Sequence, residues 1–503
     1  MGNKNLESKT SCTDFFRDLA DQQPQRLCED VQDAFAYLAG QTPEGSDEIH
    51  RVHPLIIPKV YTKEDCSRFE ALAAEACQLF FDVIRLYLNE EDVRAAFGFS
   101  PLEDELIRID PGYLTPLPIA RLDIFYNEET GESTFCEINT DGTSAMDENR
   151  LLYETLDHYP SYQIWEENEK KRGLRLRRFE LFDSWVQEAA RIYGEEFLPH
   201  HEEKIPSDLS TLKKPRVAIV DFMEKAYRAD FVTFQKHFAA AGFPCSIEDI
   251  RSLRFQNNQL VTASGEVIDL VYRRAVTSDS AAHADEVGEF LDAYRAGAFC
   301  MLGSFRTQII HNKKLFIALR NPALMRHLSA KQIEFIEKHV PYTHLLDADG
   351  ILNDHLLETK DNWILKPLDS YAAHGIVLGR ATSELDWARK LCKLSGTPYL
   401  YQRFQKPYQI LNFDYPRWEK DRAERLDIQA AAPSAEEPDL LQIIRSRKEQ
   451  IQPRLLPGKY HTMTGLYLYG GKLAGLYTRV CQKELIGGQF GGRELASLVE
   501  EEK

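Results

Sequence analysis

Arg121, Asp123, Glu137 and Asn139 stand within one short stretch, and their types and spacing suit the binding of a charged ligand. Two runs that read as strands, 120–126 and 134–139, flank a polar segment containing Gly131. Folded as a hairpin about Thr130, they set Asp123 opposite Glu137, Arg121 opposite Asn139 and Phe125 opposite Phe135. Side chains alternate along strands, so all six share one face. The other face carries Leu122, Ile124, Tyr126, Thr134, Cys136 and Ile138, which suits burial. Two carboxylates opposite one another repel unless a cation or proton lies between them. With an amide oxygen beside them they make an all-oxygen set suited to Mg²⁺, which keeps positions for water and phosphate oxygens. A solvent-facing sheet in which Arg121 neutralises Asp123 accounts for the same residues, and a bulge would shift the pairing. A metal-phosphate site therefore needs cations from elsewhere in the chain.

Two places offer them. The apolar run 363–365 ends in Lys366-Pro367, and a loop from Asp369 to His374 leads to a second short apolar run. A lysine at a strand end beneath a mobile loop reaches a phosphate as a point charge, and the loop can cover it. His311-Asn312-Lys313-Lys314 precedes the apolar run 315–319, which places Lys313 near a helix N-terminus. Each of these lysines, taken alone, reads equally as a surface residue.

The elements that must position these groups follow from periodicity. Residues 13–100 read as helical, with Leu79, Phe80, Val83, Ile84 and Leu86 to Leu88 recurring near helical period. From Pro118 the period becomes strand-like, and 151–200 returns to helix with Trp165, Leu181, Trp185 and Ile192 as core contacts. A fresh unit starts at Pro215: a buried strand at 217–220, a helix marked by Phe231, Phe234, Phe238 and the stop Gly242, then extended segments at 245–247 and 268–272. This is a βαβ unit of a small Rossmann-like domain, and it carries no GxGxxG. Arg273-Arg274 on its strand reads as a surface salt bridge or a carboxylate-binding pair. Beyond 305 strands are expected to dominate, ending in a hairpin at 466–480 that turns at Gly470-Gly471. The charged interval 418–453 reads as an exposed insertion. The domains expected are 1–112 (helical), 113–212 (hairpin and helices), 213–304 (Rossmann-like) and 305–503 (nucleotide-binding).

Bulk properties exclude several functions. The chain has 503 residues, 43% hydrophobic and 28% charged, with a net charge of -18, and no basic stripe with interleaved aromatics, so no nucleic-acid partner is expected. No apolar run approaches a membrane span, and Met1 to Ser11 lack a signal-peptide pattern, so a cytoplasmic protein without a membrane partner is expected. The 9 cysteines are scattered without CxxC spacing, which favours free thiols used for packing. Alternation points Cys136 away from the carboxylate face.

These residues resemble the glutathionylspermidine synthase family, whose ligase part is a circularly permuted ATP-grasp fold related to glutathione synthetase. The family's Arg-x-Asp followed by Glu-x-Asn is matched by Arg121, Asp123, Glu137 and Asn139. Its Asn-Lys and Lys-Pro are matched by Asn312-Lys313 and Lys366-Pro367. Leu345-Leu346-Asp347 and Asn353-Asp354 resemble the stretches between them. The resemblance implies an α/β chain with α+β elements, a small Rossmann-like domain and an N-terminal helical region. It implies ATP and Mg²⁺ as cofactors: Asp123, Glu137 and Asn139 on the metal, Lys313 and Lys366 on ATP phosphates, and Tyr401 and Gln402 on the adenine-side strand. Arg121 and Arg479 would hold the transferred phosphoryl group, and Ser144 would contact a substrate. The implied activity is ligation of a small-molecule carboxylate to an amine through an acyl phosphate. The loop 370–374 lacks the family's usual glycines, which supports a rival reading, an ATP-binding regulatory or scaffolding protein without turnover; a small-molecule kinase is a second alternative.

Overall fold

The computed structural model describes residues 11–41, 52–201, 214–347, 354–368, 375–415 and 455–502. A six-stranded antiparallel sheet organises it. Its two long strands, Leu456–Tyr469 and Lys472–Cys481, turn at Gly470 (φ 52) and Gly471 (φ 82), the left-handed pair that a type I′ hairpin needs. Ile119–Tyr126 pairs with Leu456–Tyr469 on one side and with Ser133–Asn139 on the other. Arg493–Leu495 closes the far edge against Lys472–Cys481, and Gln409–Asp414 pairs with the start of Leu456–Tyr469.

One face of this sheet is core. Leu122, Ile124, Ile138, Leu466, Leu468 and Leu476 pack with Phe69, Leu72, Phe80 and Val83 of the helix Lys63–Asn89. That helix opens with a capping box between Thr62 and Asp65, which satisfies donors that the first turn would otherwise leave bare. By alternation, the opposite face carries Arg121, Asp123, Gly465, Tyr467, Tyr477 and Arg479.

The hairpin register corrects the simple folding about Thr130. Arg121 faces Asn139 and Asp123 faces Glu137, but beyond them Ile124 pairs with Phe135 and Phe125 with Thr134. Cys136 is the unpaired residue of a bulge. Phe135 consequently turns into the core, 1% exposed, beside Phe80 and Phe335, while Cys136 is left half-buried. Burial of a phenylalanine outweighs strict alternation at this point.

The segment 217–302 forms a four-stranded parallel sheet in the order Cys300–Leu302, Leu270–Arg273, Val217–Asp221, Cys245–Asp249, with the helix Arg228–Ala240 after the first strand. A smaller antiparallel sheet holds Thr343–Leu345, Tyr399–Arg403, Trp363–Pro367 and Val377–Leu378 in that order. Several expectations need correction. Residues 174–177, read as helical, form a strand against Ser497–Glu502, a partner far away in sequence. Strand Lys59–Tyr61 interrupts the N-terminal helices by pairing with the same C-terminal strand. After 305 the chain is first helical, through Gln308–His311, Lys314–Ala318, Pro322–Met325 and Ala330–His339, before its strands begin. The interval 418–453, the loop 370–374 and the stretch around Asn353 lie outside the described residues.

Trp185 joins the layers. Its ring, fully buried, lies 5.0 Å from Tyr272 of the parallel sheet and 5.4 Å from Tyr469 of the central sheet. Replacing so large a buried ring leaves a cavity, and Trp185→Ala is expected to lower the unfolding free energy by about 3–5 kcal/mol. Urea denaturation followed by circular dichroism checks this; a loss near zero would mean that the two sheets do not depend on this contact.

Candidate active site

The site is built around Asp123. Its side chain has no exposed surface and lies between two arginines. Arg121, two residues back along the strand and so on the same face, donates from Nε to Oδ1 at 2.8 Å and from Nη2 to Oδ2 at 3.1 Å. Arg479 donates to Oδ2 at 2.6 Å, and Asn139 Nδ2 donates to the same oxygen at 3.0 Å. Burial alone would raise the carboxyl; Arg121 and then Arg479 outweigh it and hold Asp123 below the ordinary carboxylate value.

Arg479 reaches Asp123 across the intervening strand because Gly465, directly opposite Asp123, has no side chain. A Cβ there would come within 3.0 Å of both Asp123 Oδ1 and Arg121 Cδ. An isolated glycine inside a strand marks such a close approach, and this one was the sequence signal available for a residue not singled out beforehand. Tyr467 and Tyr477, also not singled out, complete the floor, each with its ring 5.8 Å from the Arg121 guanidinium.

The loop after the hairpin fixes Arg121 from above. Arg121 Nη1 donates to the Ser144 carbonyl at 2.9 Å, and the Tyr467 hydroxyl donates to that same oxygen at 2.7 Å. Ser144 therefore enters the site through its backbone. Ala145, next in line, holds φ 75, a left-handed conformation uncommon for a residue with a side chain. Two buried ion pairs anchor this loop to the parallel sheet, so Arg273 and Arg274 are not surface residues. Arg273 meets Asp141 at 2.5 Å and also donates to the Gly303, Ala275 and Ser304 carbonyls. Arg274 meets Asp230 at 3.1 Å, and Asp230 in turn accepts from the Asp147 amide at 2.8 Å, at the start of the helix Met146–Asp157.

The two lysines approach the outer edge of the hairpin. Lys313 Nζ lies 3.9 Å from Glu137 Oε1, and Lys366, only 8% exposed, places Nζ 3.4 Å from the Cys136 carbonyl. The bulge thus frees an acceptor that Lys366 uses. It also brings the Cys136 thiol within electrostatic reach of Lys366, Glu137, Asp123 and Arg479, on the side from which alternation had turned it away. Burial raises that thiol despite Lys366, so it is not a resident thiolate.

On the small sheet, Gln402 lies across from Ile364, next to Lys366 on the same face, and donates to Thr343 Oγ1 at 2.9 Å. Tyr401 projects the other way. Its ring packs 5.3 Å from Trp363 in a separate apolar cluster, on the face opposite to Lys366. Lys313 caps a helix, Lys314–Ala318, of only five residues, and Lys314 turns away to the Gly98 carbonyl.

The oxygen donors fit a magnesium ion unevenly. Glu137, with a side chain 34% exposed, accepts no hydrogen bond among the described residues, and the side-chain Oδ1 of Asn139 has no described donor. One or two carboxylates plus phosphate oxygens are what Mg²⁺ commonly uses. Asp123 Oδ2 joins that set only when Arg479 transfers its hydrogen bond to another anion.

No family model matches this sequence, and no curated protein matches it. Among solved structures, the chain superposes on a glutathione synthetase-like effector from Globodera pallida, in its apo form, with a TM-score of 0.52 at 11% identity, over 95% of this chain and 97% of that one. The fold is ATP-grasp, of the glutathione synthetase-like kind. A protein described as gamma-glutamylcysteine synthetase from Methylobacillus flagellatus is more distant, with a TM-score of 0.37 at 10% identity over 87% of this chain and 89% of its own. Among the described residues, this glutathione synthetase-like fold includes no helix long and apolar enough to cross a membrane.

The geometry separates two kinds of carboxylate. Asp123→Ala strands two arginines without their shared counter-charge and is expected to cost about 3–5 kcal/mol of stability. Glu137→Ala removes a half-exposed group and should change stability by no more than about 0.5 kcal/mol. Equilibrium unfolding of both variants checks the contrast, and equal losses would contradict it.

Proposed function

We propose that this chain is an ATP-dependent carboxylate-amine ligase that forms an amide through an acyl phosphate. The observation that carries the reading is the convergence of Arg121, Arg479, Lys313 and Lys366, from distant parts of the chain, on one hairpin that carries Asp123 and Glu137. Cations gathered at one place in an acidic protein suit a polyphosphate. The resemblance to glutathionylspermidine synthases supports the same assignment, since their permuted order also puts the metal hairpin before the nucleotide lysines.

In this reading Lys313 and Lys366 hold ATP phosphates, with Gln402 beside Lys366. Glu137 and Asn139 hold magnesium, joined by Asp123 once phosphate oxygens take over Arg479, and the ion supplies charge neutralisation for the phosphates. Arg121 and Arg479, aligned by Asp123, stabilise the transferred phosphoryl group and the acyl phosphate. Catalysis of this kind is positioning and charge stabilisation, with no protein nucleophile. The partners are a small-molecule carboxylate and a small-molecule amine.

The saturation of Asp123 by two arginines favours a second reading, nucleotide binding without turnover. Mg-ATP incubated with pooled amino acids, small peptides and polyamines separates the two. The ligase reading expects ADP and an amide product; bound nucleotide with no ADP in any pool supports the second reading, and ADP without amide supports a kinase. Lys366→Ala is expected to weaken Mg-ATP binding about 10–100-fold, from a charge-assisted hydrogen bond worth roughly 1.5–3 kcal/mol. Glu137→Ala should abolish ADP formation. Unchanged nucleotide affinity in the lysine variant would remove Lys366 from the site.

A further inference from the structure

The helix Lys63–Asn89 covers the face of the central sheet opposite to Asp123, and a recess of about 190 Å³ opens between its last turns and the loop 110–117. Phe81, Ile84 and Leu88 line it from the helix, and Pro111, Leu114 and Pro116 from the loop. The loop has little freedom. Glu196 accepts the Leu114 and Thr115 amides at 2.8 and 2.7 Å and the Thr115 hydroxyl at 2.7 Å, while the Tyr113 hydroxyl donates to the Met301 carbonyl at 2.8 Å. Pro111 and Pro116 fix φ near its two ends. Pinned in this way, the loop still leaves Leu114 75% exposed, more than any other large hydrophobic side chain among the described residues. A leucine that its own backbone cannot fold away gains from contact with a ligand in the recess beside it.

The charged groups of the recess have one sign. Arg85 from the helix and Arg306 from the segment after Cys300–Leu302 both line it, and no carboxylate does, in a chain whose net charge is -18. Arg85 gives Nη2 to Asp82 at 3.1 Å, with a side chain 63% exposed. Arg306 donates to main-chain carbonyls, of Ile109 at 2.9 Å and of Ile107 at 3.5 Å, and forms no ion pair among the described residues. Asp110, beside the recess, accepts the Gly112 amide at 3.0 Å.

We infer that this recess binds a small monocarboxylic acid with a branched aliphatic or compact aromatic body. The body lies against Ile84, Leu88 and Leu114, and the carboxylate is held by Arg306 and Arg85, whose planar guanidinium groups match its two oxygens. A cavity of about 150 Å³ accepts a benzene molecule, so a body of about five to eight carbons suits this one. Neither arginine belongs to the phosphate-binding set, so acid and nucleotide occupy the chain independently. Binding here stands whether or not the ligase reading does.

Saturation-transfer NMR on the full chain at constant ionic strength tests this with 4-methylpentanoate as the probe. The wild type is expected to bind it with a Kd of about 1 mM. 4-Methylpentan-1-ol, which keeps the body and loses the charge, should bind about fivefold more weakly. Acetate, which keeps the charge and loses the body, should bind more weakly by about tenfold or more. Arg85→Gln and Arg306→Gln should each weaken the acid about threefold and leave the alcohol within about twofold. Leu114→Ser should weaken acid and alcohol alike. Arg85 and Leu114 are exposed, so their variants keep the fold and decide the outcome even if Arg306→Gln does not. Saturating Mg-ATP should leave the affinity for the acid within about twofold. No saturable binding by the wild type, equal affinity for acid and alcohol, or indifference to both Arg85→Gln and Leu114→Ser would overturn the recess as an acid site. Displacement by Mg-ATP would also overturn it, by placing the acid on the phosphate-binding cations.

Discussion

A carboxylate with no exposed surface stays ionised only where cations reach it, and at Asp123 two guanidinium groups and an amide do so. Bringing charges out of water costs several kcal/mol per ion, which mutual attraction repays only when the remaining lone pairs and protons are satisfied. That requirement dictates much of the local architecture. Gly465 must be bare for Arg479 to cross its strand. The Ser144 carbonyl must lie over Arg121, which in turn requires the loop 140–147 to be pinned by Asp141 on Arg273 and by Asp230 on Arg274. The parallel sheet thus acts on the site through two buried ion pairs.

The functional face then reads as a row across the central sheet. At the hairpin edge stand Lys313 and Lys366, next the Arg121–Asp123–Arg479 cluster, and opposite Arg479 stands Glu494. The glutathione synthetase-like fold supplies the frame.

Part of this was legible in the sequence. Arg121, Asp123, Glu137 and Asn139 could be paired because charge and alternation agree over those positions, and the turn at Gly470-Gly471 follows from backbone freedom alone. The bulge at Cys136 was not legible, since it arises where Phe135 turns into a core shared with Phe335, about two hundred residues later in the chain. Tyr401 and Gln402 look equivalent until the pairing of Trp363–Pro367 shows which one shares a face with Lys366. The strand Leu174–Arg177 alternates leucine and arginine but is too short to declare itself without its C-terminal partner. Gly465 carried a signal, a glycine inside an apolar strand, whose meaning appears only once Asp123 lies opposite.

The most direct test is a crystal structure grown with a non-hydrolysable ATP analogue and Mn²⁺, with the ion located by anomalous scattering. The account predicts an anomalous peak within coordinating distance of Glu137 and Asn139, the terminal phosphate on Arg121 and Arg479, and the Asp123 to Arg479 hydrogen bond exchanged for one to phosphate. A nucleotide bound elsewhere, or an ion held by Glu180, Asp183 and His237 instead, would contradict it.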